Sequence, residues 1–336
     1  MSPMPLPRRR LLKLAAANLA LTSLVLPALP RIAHAQAYPS RPITMIVPYT
    51  AGGPTDTVGR VVAERMRAEL GQPVVLENVA GAGGSIGLGR VARAAPDGYT
   101  INVGNWSAHV INGAIYSLLY DLKTDFEPIA LLAQAPQMVV AKKATPADDL
   151  KGFIAWLKAN PKTTAGTAGI GSPPHIGGVL FQNMTGATLQ FVHYRGVALA
   201  TQDLVAGQID MAIADVTTAT PQVRAGTIKA YAVAAPTRLP ALPDVPTADE
   251  AGLPGFHVAT WNALFAPKGT PKAIIEKLNA AAVTALADPA VRARFAAVGQ
   301  EIPPREQQTP EALAALNKAD IEKWWPIVKA ANIKAE

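Results

Sequence analysis

The chain has 336 residues, a formal charge of +7, 49% hydrophobic residues and no cysteine. Without cysteine there is no thiol nucleophile, no disulfide framework and no thiolate metal site. Five basic residues (Arg8, Arg9, Arg10, Lys13, Arg31) and no acids lie in the first 35 positions, so the remaining 301 residues carry only +2; that balance gives no support for nucleic-acid binding and is compatible with an anionic ligand.

Residues 1–35 read as a cleavable export signal. A basic start at 8–10 leads into an apolar run from Leu11 to Leu29, then the small-x-small site Ala33-His34-Ala35. Lys13, Asn18 and proline interrupt the run, which falls short of the roughly 20 continuous apolar residues of a membrane span. The Arg pair followed by Leu-Leu-Lys is compatible with twin-arginine export. The expected location is the periplasm, and the expected state a monomer.

In the mature chain, residues 41–48 are predicted to form a buried strand. The loop 49–56 (Tyr-Thr-Ala-Gly-Gly-Pro-Thr-Asp) follows, then a helix to about Leu70, with Val58, Val61, Val62 and Met66 near helical spacing and Gly71 as the stop. Residues 73–77 are a second strand. The loop 81–85 (Gly-Ala-Gly-Gly-Ser) opens a helix over 85–94, and 99–104 are a third strand. Strand, glycine loop and helix alternate, which predicts a largely parallel sheet covered by helices. Residues 129–141 are apolar and strand-rich, and could carry the chain from one lobe to the other. The pattern then recurs: a helix over 146–159, a strand over 163–168, the loop 169–172, a helix over 173–184, a short strand at 191–194 and a loop-helix unit from Arg195. Residues 208–215 form a strand ending on Asp215, and 228–234 another. Prolines 243, 246, 254 and 267 mark irregular crossing segments, and helices over 271–286, 288–297 and 310–330 finish the chain.

In open α/β sheets, ligands sit beyond the carboxyl ends of the strands, where helix N-termini present unpaired N–H groups. Three loops offer such points. In the first, Gly52 and Gly53 allow a tight turn, and Thr55 or Asp56 can cap the helix. The second, ending on Ser85, is neither a Walker loop nor a full dinucleotide fingerprint. In the third, Gly169-Ile-Gly171-Ser172 precedes Pro173, so Ser172 reads as an N-cap placing N–H donors at a second anion point. Thr50, Ser107 and Ser172 supply hydroxyls. Trp106 could stack on an aromatic acid if its ring lines the cleft. Arg195 could pair with a second carboxylate. Asp215 could cap the next helix or hold a ligand donor through water. No dense Lys/Arg cluster suits a polyphosphate. No catalytic group, metal site or cofactor is expected: the four mature histidines show no metal-ligand pair, and Gly171-Ser172-Pro173 is not a nucleophile elbow. An exported serine hydrolase using Ser172 or Ser107 is the rival reading.

Several motifs in order carry a resemblance. They are Tyr-Pro-Ser-Arg-Pro-Ile at 38–43, Pro-Tyr-Thr-Ala-Gly-Gly-Pro-Thr-Asp at 48–56 and Glu-Asn-Val-Ala-Gly-Ala-Gly-Gly-Ser at 77–85. Ala-Ala-Pro-Asp-Gly-Tyr-Thr at 94–100, Asp-Phe-Glu-Pro-Ile at 125–129 and Leu-Phe-Ala-Pro-Lys-Gly-Thr-Pro at 264–271 continue the series. Through them nearly all of the mature chain resembles the substrate-binding component of tripartite tricarboxylate transporters, the Bug proteins. The resemblance implies a two-lobed α/β periplasmic-binding-protein fold, type II-like, with a ligand cleft between the lobes. The expected boundaries are 37–137 with 259–336 for lobe one and 138–258 for lobe two. It implies a small organic acid as ligand, held by Tyr49, Thr50 and residues 53–56 on one lobe and by 169–172 and Asp215 on the other. Its implied partners are a large and a small integral membrane subunit, or in some members a sensor kinase. The chain departs from the family pattern at 192–196 (Val-His-Tyr-Arg-Gly), at Leu199 and at 105–107 (Asn-Trp-Ser), all beside the expected cleft.

Overall fold

The computed structural model describes residues 38–334 apart from Arg195 and Val298. The export signal expected over 1–35 and the ligand contact expected of Arg195 lie outside the described residues.

Five strands form a first sheet in the order β2 (Val74–Asn78), β1 (Ile43–Val47), β3 (Thr100–Asn105), β9 (Ala259–Pro267), β4 (Phe126–Lys142). A second sheet grows from the far half of β4, with β7 (Met211–Asp215), β5 (Thr164–Thr167) and β6 (Gln190–His193) on one edge and β8 (Ile228–Val233) on the other. The 17-residue β4 therefore belongs to both. It pairs with β9 from Phe126 to Pro136, and from Gln137 onward with β7 and β8. Its burial is nearly continuous, as expected of a strand covered on both faces.

The expectation of a largely parallel arrangement needs correction. Pairs β1–β2, β1–β3, β5–β6 and β5–β7 are parallel. Every pair made by β4 or β9 is antiparallel. Two strands account for this: β9, absent from the sequence reading, returns late in the chain and inserts between β3 and β4, and the long β4 runs against β7 and β8 in the second sheet.

The helices follow from local chemistry. α1 (Pro54–Leu70) starts with proline at its first position and buries Val58, Val61, Val62 and Met66. It stops at Gly71, whose φ of 68° is a left-handed cap, with its N–H on the Arg67 carbonyl. Gly59 lets α1 lie close on β3, since a Cβ there would stand 2.8 Å from Val103 Cγ1. α2 is Ser85–Ala92 and α3 Asn112–Ile115, the latter continuing a π-helical turn at Ser107–Ile111. α4 (Leu150–Ala159) begins at Asp149, whose carboxylate accepts the Gly152 N–H at 2.7 Å. α5 (Pro173–Thr185), α6 (Val197–Val205) and α7 (Val216–Arg224) cover the second sheet, and α8 (Lys272–Ala287), α9 (Pro289–Ala297) and α10 (Pro310–Ala330) close the chain. Both α8 and α10 pack on β4, and α8 also on α1. Among the described residues no helix is long and apolar enough to cross a membrane.

Candidate functional site

Strands β1, β2 and β3 run parallel and end at Val47, Asn78 and Asn105, so the loops after them share one edge of the first sheet. Strands β5, β6 and β7 do the same in the second sheet, ending at Thr167, His193 and Asp215. Gly171 of the second group packs against the end of α3: a Cβ there would lie 2.7 Å from Ile115 Cδ1.

On the first edge the predicted residues join one hydrogen-bond network. The Tyr49 hydroxyl donates to Asn105 Oδ1 at 2.7 Å and to the Gly83 carbonyl at 3.4 Å. Burial raises the Tyr49 pKa, so the group stays a neutral donor. Asn105 Nδ2 donates to Thr55 Oγ1 at 3.3 Å, and its Oδ1 also accepts the Ala108 N–H. Asn112 Nδ2 donates to the Gly83 carbonyl at 2.9 Å and to Ser85 Oγ at 3.1 Å. Asn105 and Asn112 thus bind three loops into one platform. The sequence reading singled out neither as a site residue.

Asp56 lies beneath this platform, 1% exposed. Its Oδ2 accepts the Gly52 N–H and Arg60 Nε, both at 2.8 Å, and its Oδ1 accepts Arg60 Nη2 at 3.0 Å and Asn78 Nδ2 at 2.9 Å. The Arg60 guanidinium holds its pKa down at about 2. The carboxylate therefore organises the first loop from behind. The N-cap itself is Gly53, not Thr55 or Asp56.

On the second edge, Ser172 occupies the predicted N-cap position, but its side chain does not cap. Its Oγ donates instead to the Gly169 carbonyl at 2.6 Å. The Gly171 N–H donates to His175 Nδ1 at 3.1 Å, which requires that nitrogen to be unprotonated. Burial, and then the nearby His193, push the His175 pKa down to about 4. Thr167 Oγ1 meets His193 Nδ1 at 2.7 Å and accepts the Gly169 N–H at 3.3 Å. Pro173 and Pro174 have no N–H, so only His175 among the first three residues of α5 can donate, fewer donors than expected at this point.

Asp215 is the N-cap of α7, accepting the Thr217 N–H at 2.9 Å and Thr217 Oγ1 at 2.6 Å; burial raises its pKa. Thr50 is exposed on the first loop, and Ser107 is half-buried in the π-helical turn. Trp106 is a correction. It is 1% exposed, its ring edge-on to Trp324 of α10 at 5.2 Å, so in this structure it offers no stacking face to a ligand.

Among the helices that begin at these loops, α1, α2, α5 and α6 have no side-chain hydrogen bond at the N-cap, whereas α7 is capped by Asp215. Elsewhere α4 and α10 are capped by Asp149 and Thr309, and α8 has no side-chain cap. In α1 the Thr57 N–H bonds the Gly53 carbonyl, leaving the Thr55 and Asp56 amides without a helical acceptor. Such termini suit an anion.

The sequence matches the family described as the tripartite tricarboxylate transporter family receptor over residues 58–333. A UPF0065 protein of Agrobacterium vitis is 40% identical over 328 residues, covering 96% of this chain and 95% of that protein. MatC from Rhodopseudomonas palustris, solved with bound malate, is 41% identical with a TM-score of 0.74, covering 87% of this chain and 100% of its own. A second R. palustris protein, solved with adipate, is 31% identical with a TM-score of 0.75, covering 89% and 100%. The solved relatives are two-lobed periplasmic solute-binding proteins, and the mixed α/β fold described above is theirs. The chain belongs to the tripartite tricarboxylate transporter receptor family.

Proposed function

We propose that this chain, exported by a cleavable signal over residues 1–35, captures a small carboxylic acid in the periplasm and delivers it to the large and small membrane subunits of a tripartite tricarboxylate-type transporter. The lobes that close on the acid are 37–137 with 259–336, and 138–258. The observation that carries this reading is the set of helix N-termini without side-chain caps, gathered at the carboxyl ends of two sets of parallel strands. One carboxylate is held by the N–H groups of Gly53, Thr55 and Asp56 around Pro54, which has none, with Tyr49, Thr50, Ser85 and Ser107 beside it, and by Gly169, Gly171 and Ser172 opposite. Asp56 shapes the loop without touching the acid through its carboxylate, because two like charges in a closed cleft repel. Asp215 holds a ligand donor through water, and Arg195 pairs with a second carboxylate. The buried ring of Trp106 favours an aliphatic acid over a flat aromatic one, and the malate and adipate bound by relatives agree with a dicarboxylate.

A thermal-shift screen of succinate, malate, adipate, citrate, benzoate and glucose tests the reading. A dicarboxylate at 100 times its Kd should add about 2.7 kcal/mol of stability. If glucose alone raises the melting temperature, the reading is wrong.

Gly53→Ala separates binding from folding. Gly53 has φ −75° and ψ 170°, open to any residue, and a Cβ there would meet only the Thr50 carbonyl oxygen, at 3.6 Å. Stability should change by no more than about 1 kcal/mol. A carboxylate seated on the α1 terminus would meet the new methyl group, and calorimetry should record at least a tenfold loss of affinity. Unchanged affinity would move the ligand away from this terminus.

A further inference from the structure

His193 is the last residue of β6, at the second edge. It is exposed, yet its ring is held by two neighbours. In the parallel register of β5 and β6 it stands level with Thr167, which is fully buried and meets its Nδ1 through Oγ1 at 2.7 Å. The His175 ring of α5 lies edge-on to it at 4.8 Å and edge-on to Phe191, also at 4.8 Å. Gly178 permits this packing. A Cβ there would stand 2.6 Å from Phe191 Cε1, so only glycine lets α5 lie this close on β6.

The bond to Thr167 fixes the tautomer of His193. Thr167 Oγ1 accepts the Gly169 N–H at 3.3 Å, and its own hydrogen has two acceptors within reach: His193 Nδ1 at 2.7 Å and the Gly169 carbonyl at 3.5 Å. The shorter contact takes it. Nδ1 is then the acceptor, and the neutral ring carries its hydrogen on Nε2. An exposed side chain ordinarily hops between rotamers. This one is a donor in a set orientation, which a group that discriminates between ligands requires. Its place is equally telling. Thr167 connects it to Gly169, and His175 connects it to Gly171, whose N–H the His175 Nδ1 accepts at 3.1 Å.

We propose that His193 is a specificity-determining residue of the site: its Nε2–H donates to an oxygen at the far end of an acid whose first carboxylate sits on the 169–172 loop. The inference rests on the carboxylate reading above and adds to it the residue that tells a diacid from a monoacid of the same length.

The experiment is calorimetry on the full chain with succinate, adipate and butyrate. His193→Ala and His193→Phe should each weaken the tighter-binding diacid at least about tenfold, the worth of a hydrogen bond to a charged group. Phenylalanine keeps a ring against His175, so a loss shared by both variants comes from the missing donor. His193→Gln restores an N–H and should return to within about threefold of wild type. Butyrate, bound or not, should behave alike in all four proteins. NMR of isotope-labelled histidine in the wild type depends on no variant's folding: the free protein should show the Nε2–H tautomer, and succinate or adipate should shift the His193 Nε2 resonance. A diacid that binds without that shift, or equally well to wild type and His193→Ala, would overturn the role of His193 and leave the carboxylate reading standing. Equal losses for the diacid and for butyrate would make His193 a support of the loop and overturn it as well. If no acid binds the wild type, the carboxylate reading fails, and this assignment with it.

Discussion

Asp56→Ala is expected to lower stability by about 2–3 kcal/mol, well beyond the loss of an ordinary helix cap. The carboxylate is buried and accepts from Gly52, Arg60 and Asn78. A pKa of about 2, against an ordinary 3.8, means that the ionised form is favoured by folding to that extent. Removing it frees the Gly52 amide and leaves Asn78 Nδ2 only the Tyr49 carbonyl, at 3.0 Å. The first loop should then lose its shape, and ligand affinity should fall with it. Urea unfolding and calorimetry on Asp56→Ala and Asp56→Asn measure both effects. Asparagine keeps an acceptor for Gly52 and should recover part of the loss. Equal stability of wild type and Asp56→Ala would mean that the loop is held by other contacts.

The second large effect is acid sensitivity well above the carboxylate range. His109 is fully buried, stacked on Phe265 at 3.9 Å and beside Asn102, and burial pushes its pKa down to about 3. His175 is held at about 4. In the unfolded chain both protonate near 6.5, so below that pH the unfolded state binds more protons. Stability should therefore be full above pH 6.5 and fall as the pH drops, by about 1.4 kcal/mol per unit for each histidine, until the folded values are reached. Asp56 contributes in a lower window: its share is full above 3.8 and is lost as the pH falls to about 2. Protonating His175 would also remove the acceptor for the Gly171 N–H, so the second-edge loop of the folded protein should loosen as the pH approaches about 4. Melting temperatures from pH 7.5 to 4, with His175→Asn alongside, check this. A flat profile would refute the burial argument, and a variant as steep as wild type would assign the slope to His109.

Much of the scaffold was legible because its signals are local. Glycine loops, the proline at the start of α1 and the spacing of Val58, Val61, Val62 and Met66 each act within a few residues. What escaped depends on distant neighbours. β9 is buried over most of its length and reads Ala-Thr-Trp-Asn-Ala-Leu-Phe-Ala-Pro, with no alternation to reveal a strand. α7 is threonine-rich and contains Pro221, poor helix chemistry that Asp215 and the sheet beneath it override. The π-helical turn after Trp106 carries no sequence signature. At the site, the glycine loops stood out, whereas Asn105 and Asn112 matter through partners 27 to 56 residues away. Ser172 shows the limit from the other side: its position was right, but its hydroxyl turned to Gly169.

The insertion of β9 between β3 and β4 also dictates an order of assembly as the chain emerges. Everything the second sheet needs lies between Gln137 and Val233, so it can close as soon as that stretch is available. The first sheet cannot close then. Until Ala259–Pro267 arrives, β3 and the near half of β4 have no strand between them, and each presents an open edge. Partners more than 120 residues apart must meet to seal it, the slow kind of closure. The chain thus keeps its N-terminal sheet unfinished until late, and with it the loop that carries Gly53 and Asp56.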